Sequence, residues 1–88
     1  MTPIIHYAIL YVKLTLHYLQ GSDFLKNRIE ELRQEKGLTQ LDLANILKVS
    51  RQTVNSLEKG KYNPSITLAF KISKFFGMKI ENIFLFEE

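Results

Sequence analysis

At 88 residues the chain has room for one domain, and a 45% hydrophobic content supports a small core, of a size that often gains stability by pairing with a second copy. The absence of cysteine excludes disulfides and thiolate metal sites, and His6 and His17, isolated in an apolar segment, do not suggest a metal. A net charge of +3 leans towards an anionic partner, while no nucleophile–base pair, glycine-rich phosphate loop or carboxylate cluster points to an enzyme or a cofactor.

In chain order, Leu10, Val12, Leu14 and Leu16 alternate with Tyr11, Lys13, Thr15 and His17, the period of a half-buried strand. Ile5, Ile9, Val12, Leu16 and Leu19 also share a helical stripe, but the wealth of Ile, Val, Thr and Tyr favours the strand. Residues 1–22 are expected to form an apolar extension, strand or disordered, ahead of a domain over 23–88. From Ile4 to Leu19 there are sixteen residues, interrupted by Lys13 and the two histidines; a membrane span needs about 20. No membrane association is therefore expected, and no secretory leader is evident. The cytoplasm is the expected compartment.

Gly21-Ser22-Asp23 breaks that pattern. Ser22 or Asp23 is expected to cap a helix reaching about Lys36, with Leu25, Ile29 and Leu32 as its buried stripe and Gly37 closing it in the left-handed region. Thr39 stands where the next helix needs a cap, and Leu41, Ala44 and Leu47 form its apolar stripe. Lys48-Val49 makes a turn, and Ser50 caps a helix in which Val54 and Leu57 face inward. That leaves Arg51, Gln52, Asn55, Ser56 and Lys59 outward. Gly60 ends this helix, Lys61-Tyr62-Asn63-Pro64 forms a loop, and Ser65 caps a helix with Ile66, Ala69, Ile72, Phe75 and Phe76 on its apolar face. Gly77 stops it, and Ile80, Ile83 and Phe84 indicate a last short helix. Leu85-Phe86, just before the acidic Glu87-Glu88, needs cover from a strand pairing or a dimer seam.

A helix with an apolar inner side and an Arg/Gln/Asn/Ser outer side suits insertion into something polar and anionic, and a DNA major groove fits best. From Lys48 to Lys79 the chain has seven Lys/Arg against the single acid Glu58, the charge footprint of a phosphate-contacting half. Arg51 can fork onto guanine O6 and N7 and Gln52 onto adenine N6 and N7, with Asn55 and Ser56 one turn further along.

The stretch Leu38–Lys61 resembles the helix-turn-helix of the phage repressor and Cro-like (XRE-type) regulators. Leu38-Thr39-Gln40, Leu43-Ala44, Val49–Val54, Leu57–Lys61, Asn63-Pro64-Ser65 and Leu68-Ala69 all fall in that family's register, and the likeness runs from about Leu25 to Phe84. It implies an all-α fold: a compact bundle of about five short helices of the lambda repressor type, with room for a small β pairing between the N-terminal segment and the C-terminal tail. It further implies a sequence-specific, double-stranded DNA-binding transcriptional regulator, a repressor acting as a homodimer with the recognition helix, about residues 51–59, in the major groove. By this resemblance Arg51, Gln52 and Ser56 occupy base-reading positions, and Asn55 is a further candidate. Gln40 matches a phosphate-gripping glutamine, Thr53 touches a phosphate or a thymine methyl, and Lys59, Lys61, Tyr62 and Asn63 lie where the following loop clamps the backbone. Arg33 matches an arginine that pairs with the recognition-helix glutamate, here Glu58. The homodimer is expected to form through Ile80, Ile83, Phe84, Leu85 and Phe86. The alternative is an antitoxin-type protein that binds DNA together with a toxin or other protein partner, held by the N-terminal apolar segment.

Overall fold

Local capping chemistry sets the bounds of the short helices in the described part of the chain. The structure, a computed structural model, describes residues 25–85; the expected extension 1–22, with Ser22, and also Asp23 and Phe86, lies outside the described residues. Those described form α1 (Ile29–Glu35), α2 (Gln40–Leu47), α3 (Arg51–Glu58), α4 (Ile66–Phe76) and α5 (Ile80–Ile83). Three of these helices open on a hydroxyl that captures an amide. Thr39 Oγ1 accepts from Asp42 N at 3.0 Å while Asp42 accepts from Thr39 N at 2.9 Å, a reciprocal box. Ser50 and Ser65 accept from Thr53 N and Leu68 N. Each such cap contributes about 1 kcal/mol.

The core is one cluster running from Leu25 and Ile29 through Leu43, Val54 and Ile72 to Phe84, all buried. α2 packs chiefly against α3, where Ala44, 1% exposed, lets the two backbones approach. Lys48 at φ 60° turns the chain between them, a left-handed conformation that costs a non-glycine residue roughly 1 kcal/mol and here sets the angle of α3 on α2. The all-α architecture is the expected one; the expected β pairing of the N-terminal segment with the C-terminal tail lies outside the described residues, which hold one bridge of their own. Asn27 and Phe84 make an antiparallel bridge, flanked by Arg28 N to Ile83 O at 2.9 Å and Leu85 N to Lys26 O at 2.7 Å. Its upstream side is thus the stretch 26–28.

Four expectations need correction. The first helix starts at Ile29, not at Ser22 or Asp23, because the preceding backbone is engaged in tertiary pairing: Leu25 N donates to Gly60 O, and Lys26 and Arg28 serve the bridge. Leu25 is buried, but from extended chain. Leu41 is 55% exposed, and the α2 stripe is Leu43, Ala44 and Leu47. At 3.6 residues per turn, Leu41 lies about a third of a turn from the centre of that stripe. On α4 the buried set is Leu68, Ala69 and Ile72, while Ile66, Phe75 and Phe76 are only half-buried. Finally, Ile80, Ile83 and Phe84, expected at a dimer seam, are 3%, 0% and 1% exposed. They fill the chain's own core, so of that set only Leu85 is exposed among the described residues.

Candidate nucleic-acid interface

α3 has an apolar inner side, Val54 and Leu57, that is fully buried, and its C-terminal end is fastened by polar contacts. Arg33 from α1 forks onto Glu58, with Nε to Oε2 at 2.6 Å and Nη2 to Oε1 at 3.2 Å. Its third arm, Nη1, donates to Leu38 O at 2.8 Å. The side chains are 11% and 2% exposed, so this is a desolvated bidentate pair, and the hydrogen bond to Glu58 raises the Arg33 pKa above its ordinary value. Asn27 adds a second tie. Its Nδ2 donates to Leu57 O at 2.7 Å and to Leu25 O at 3.1 Å, and its Oδ1 accepts from Ile29 N at 3.0 Å. One side chain therefore caps α1 and holds the end of α3.

The third tie is a close approach of backbones. Gly60, at φ 74°, closes α3 in the left-handed region, where its carbonyl accepts from Leu25 N at 2.8 Å. A Cβ at Gly60 would stand 2.9 Å from Leu25 O and 3.0 Å from Leu25 N. Glycine is required there for space as well as for backbone conformation.

The outward side carries the sequence-derived reading residues. Arg51 and Gln52 are exposed, while Asn55, Ser56 and Thr53 are half-buried. Gln40, the first residue of α2, joins several of them. Its Nε2 donates to Asn55 Oδ1 at 3.2 Å and Glu58 Oε1 at 3.0 Å, and its Oε1 accepts from Arg51 Nη1 at 3.1 Å. A continuous hydrogen-bonded chain thus runs from Leu38 O through Arg33, Glu58 and Gln40 to Arg51. The arginine keeps most of its donors open at the surface, oriented by one bond. Thr53 Oγ1 shares a hydrogen bond with the capping Ser50 hydroxyl at 2.8 Å. Beyond Gly60, Lys59, Lys61 and Tyr62 are exposed and Asn63 is half-buried next to the fully buried Pro64, which anchors the loop. Lys61 N donates to Ser56 O at 2.9 Å, so the loop departs from α3 in a fixed direction.

The structure therefore joins Gln40, Arg51 and Asn55 along one side of α3 and places Lys59, Lys61, Tyr62 and Asn63 beyond its last residue. Sequence reasoning missed Asn27 and the Leu25–Gly60 contact. An Asn two residues before the apolar Ile29 was the available signal for the first; nothing in the sequence announces the second. Among the described residues no group of three metal-ligating side chains occurs, and no helix is long and apolar enough to cross a membrane.

The helix-turn-helix family pattern matches residues 29–83, more than half of the chain. An uncharacterized HTH-type transcriptional regulator of Methanocaldococcus jannaschii is 58% identical over 64 residues, covering 73% of this chain and 97% of that protein. The cryptic phage CTXphi transcriptional repressor RstR of Vibrio cholerae is 33% identical over 57 residues, 65% of this chain and 51% of its own. The HTH-type transcriptional activator BcrR of Enterococcus faecalis is 39% identical over 61 residues, 69% of this chain and 30% of its own.

Proposed function

The chain belongs to the phage repressor/Cro-like (XRE-type) helix-turn-helix family of transcriptional regulators, and from that premise we propose that it is a sequence-specific repressor that binds duplex DNA as a homodimer. DNA binding in the service of transcription, rather than catalysis, is its activity. In this reading α3 lies in the major groove, and the DNA-binding domain spans residues 23–88. The observation that carries the reading is the division of α3: Arg51 and Gln52 stand exposed while Val54 and Leu57 are buried, on a helix whose C-terminal end is tied to the rest of the domain.

An eight-residue helix is about 12 Å long, comparable with the roughly 12 Å width of the groove. Arg51 offers paired N–H donors to guanine O6 and N7, and Gln52 offers a donor and an acceptor to adenine. Asn55 and Ser56 serve neighbouring bases. Gln40, at the positive end of α2, Thr53, and the Lys59, Lys61, Tyr62 and Asn63 group contact phosphates on either side and fix the register. One such helix reads only a few base pairs, so a two-fold dimer on half-sites about 34 Å apart supplies the remaining specificity. Repression follows when the operator overlaps a promoter and the bound dimer excludes polymerase.

Selection of bound duplexes from a random pool at near-physiological salt tests this reading, with the full chain as bait. A palindromic consensus with half-sites one helical turn apart is expected, and transcription from a promoter overlapping that consensus should fall when the protein is added. A single unpaired half-site would overturn the dimer, and increased transcription would overturn repression. Absence of any enrichment would shift the weight to DNA contact that depends on a second protein.

A further inference from the structure

The basic charge of the C-terminal half does not all belong to the residues assigned to DNA. Lys48 closes α2, and Lys71 and Lys74 stand about one turn apart on α4. Together they rim an open concavity of about 300 Å³ floored by Ile46, Leu47 and Phe75. No acidic side chain lines it, and among the described residues none of the three lysines forms an ion pair. Ile46 is 44% exposed. Phe75 is half-buried, packed edge-on to Phe76 with ring centroids 5.0 Å apart, and Lys36 sits over its ring at 5.4 Å, a fourth ammonium beside the floor.

We propose that this concavity docks an acidic amphipathic segment of a partner protein, one that presents apolar side chains flanked by carboxylates. Three observations carry it. Charge complementarity is the first: lysines left uncompensated around an apolar floor favour an occupant that brings acids and apolar groups together. A phosphate backbone would meet the lysines and leave Ile46 and Phe75 uncovered. Residues 1–22 hold no acid, so the chain's own apolar extension lacks the matching chemistry. The second observation is the shape. Pockets for small molecules run from about 300 Å³ upward and enclose about 70–90% of their ligand. An open hollow at the bottom of that range suits one or two anchoring side chains of a larger body. The third is spacing: Lys71, Lys74 and Phe75, three and four residues apart, share one face of α4. A helix laid against that face, with an apolar anchor and acids a turn away, meets floor and rim at once. None of the residues lining the concavity is among those assigned to bases or phosphates, so docking and operator binding are compatible, and the DNA-bound regulator carries a surface for a second protein.

The test pans a display pool of random peptides, about twelve residues long, against the full-length chain. Two variants, K71E/K74E and Ile46→Ser, serve as counter-targets, with circular dichroism as the check of folding. All three positions are exposed, so native spectra are expected. Enriched peptides should combine Leu, Ile, Phe or Met with two or more acids. The strongest of them, synthesised with a fluorescent label, should bind each variant at least tenfold more weakly by anisotropy, and a duplex selected by the chain should not displace it. These peptide measurements need no DNA, so they decide the docking surface whether or not an operator is found. No enrichment, enriched peptides that lack either acids or apolar residues, or equal binding to the variants would each overturn the proposal. A loss of duplex binding by K71E/K74E as large as its loss of peptide binding would mark the lysines as phosphate contacts and overturn it too. Self-association of the unaltered chain that the peptide dissolves would give the concavity to a second copy instead.

Discussion

The inner and outer sides of α3 are built to opposite rules. Inward, Val54 and Leu57 are closed off from water, and the helix end is tied by a desolvated ion pair, a carboxamide and a backbone-to-backbone contact at Gly60. Outward, Arg51 and Gln52 stand in solvent, and among the described residues the arginine is restrained by one hydrogen bond, donated to Gln40 Oε1. The inner contacts determine where the helix sits; the outer side chains determine what it reads. Substitutions on the inner side should therefore change stability and leave sequence preference alone, and those on the outer side should do the reverse.

Arg33→Ala challenges the inner side hardest. It leaves a carboxylate of 2% side-chain exposure without its partner, and losing one member of a buried pair costs about 3–5 kcal/mol. For a domain of this size that approaches the whole stability. Urea unfolding should show the loss directly, and a change under 1 kcal/mol would mean that Glu58 finds water or another donor. An apolar double replacement, R33M/E58L, should recover most of the loss, because the pair's value lies in not being half-made.

Gly60→Ala comes next. The new methyl meets the Leu25 backbone at 2.9 Å, and backbone atoms cannot swing away as a side-chain tip can. Together with the unfavourable φ, a cost of about 2–3 kcal/mol is expected. The protein should keep its preferred duplex sequence, measured at a temperature where it remains folded. A changed preference would show that the Leu25–Gly60 contact aims the helix as well as securing it.

Arg51→Ala probes the other side. Unfolding should be nearly unchanged, while affinity for the selected operator should fall by roughly 1–3 kcal/mol and discrimination should relax at one base pair only. Lys61→Ala, by contrast, should lower binding on every duplex alike and reduce the salt slope by about one unit. Even weakening across all duplexes for Arg51→Ala would move it into the phosphate class.

How much of this was legible in the sequence follows the range of the forces involved. Caps and stops are local chemistry, so Thr39, Ser50, Ser65, Gly37, Gly60 and Gly77 could be assigned by inspection, and with them α2 to α5. The inward side of α3 was legible because Val54 and Leu57 fall on one face of a helix otherwise polar. Arg33 was paired with Glu58 only through resemblance, and its burial, which raises the expected cost from that of an exposed pair, is a tertiary fact. The start of α1 was misplaced for the same reason. Ser22 and Asp23 are good caps in isolation, but the backbone of 25–28 is claimed by Gly60 and by the bridge at Phe84 with its flanking bonds to Ile83 and Leu85. Leu41 was misread because three-residue spacing alone does not say which of two overlapping stripes faces the core. The α5 residues were apolar near a terminus, which fits a dimer seam and a core lid equally well until the packing is seen.

The smallest expected effect belongs to the one cap that carries a charge. Asp42 accepts the Thr39 backbone N–H and lies beside the Thr39 hydroxyl, which lowers its pKa below the ordinary carboxylate value. A folded-state value below the unfolded one means that the contribution is fully present above the unfolded pKa, about 4, and fades as pH falls through the lower folded value. Asp42→Asn keeps an oxygen that can accept the amide but cannot titrate, so the two proteins should differ most in stability near neutrality and converge in acid. Arg33 offers the contrast: its pKa is shifted upward, away from any pH at which the domain would be handled, so the inner fastening does not titrate through the guanidinium. Parallel stability curves for Asp42→Asn and the unaltered chain from pH 7 down to pH 3 would show that the Thr39–Asp42 box contributes through geometry alone, with no share from the charge at the positive end of α2.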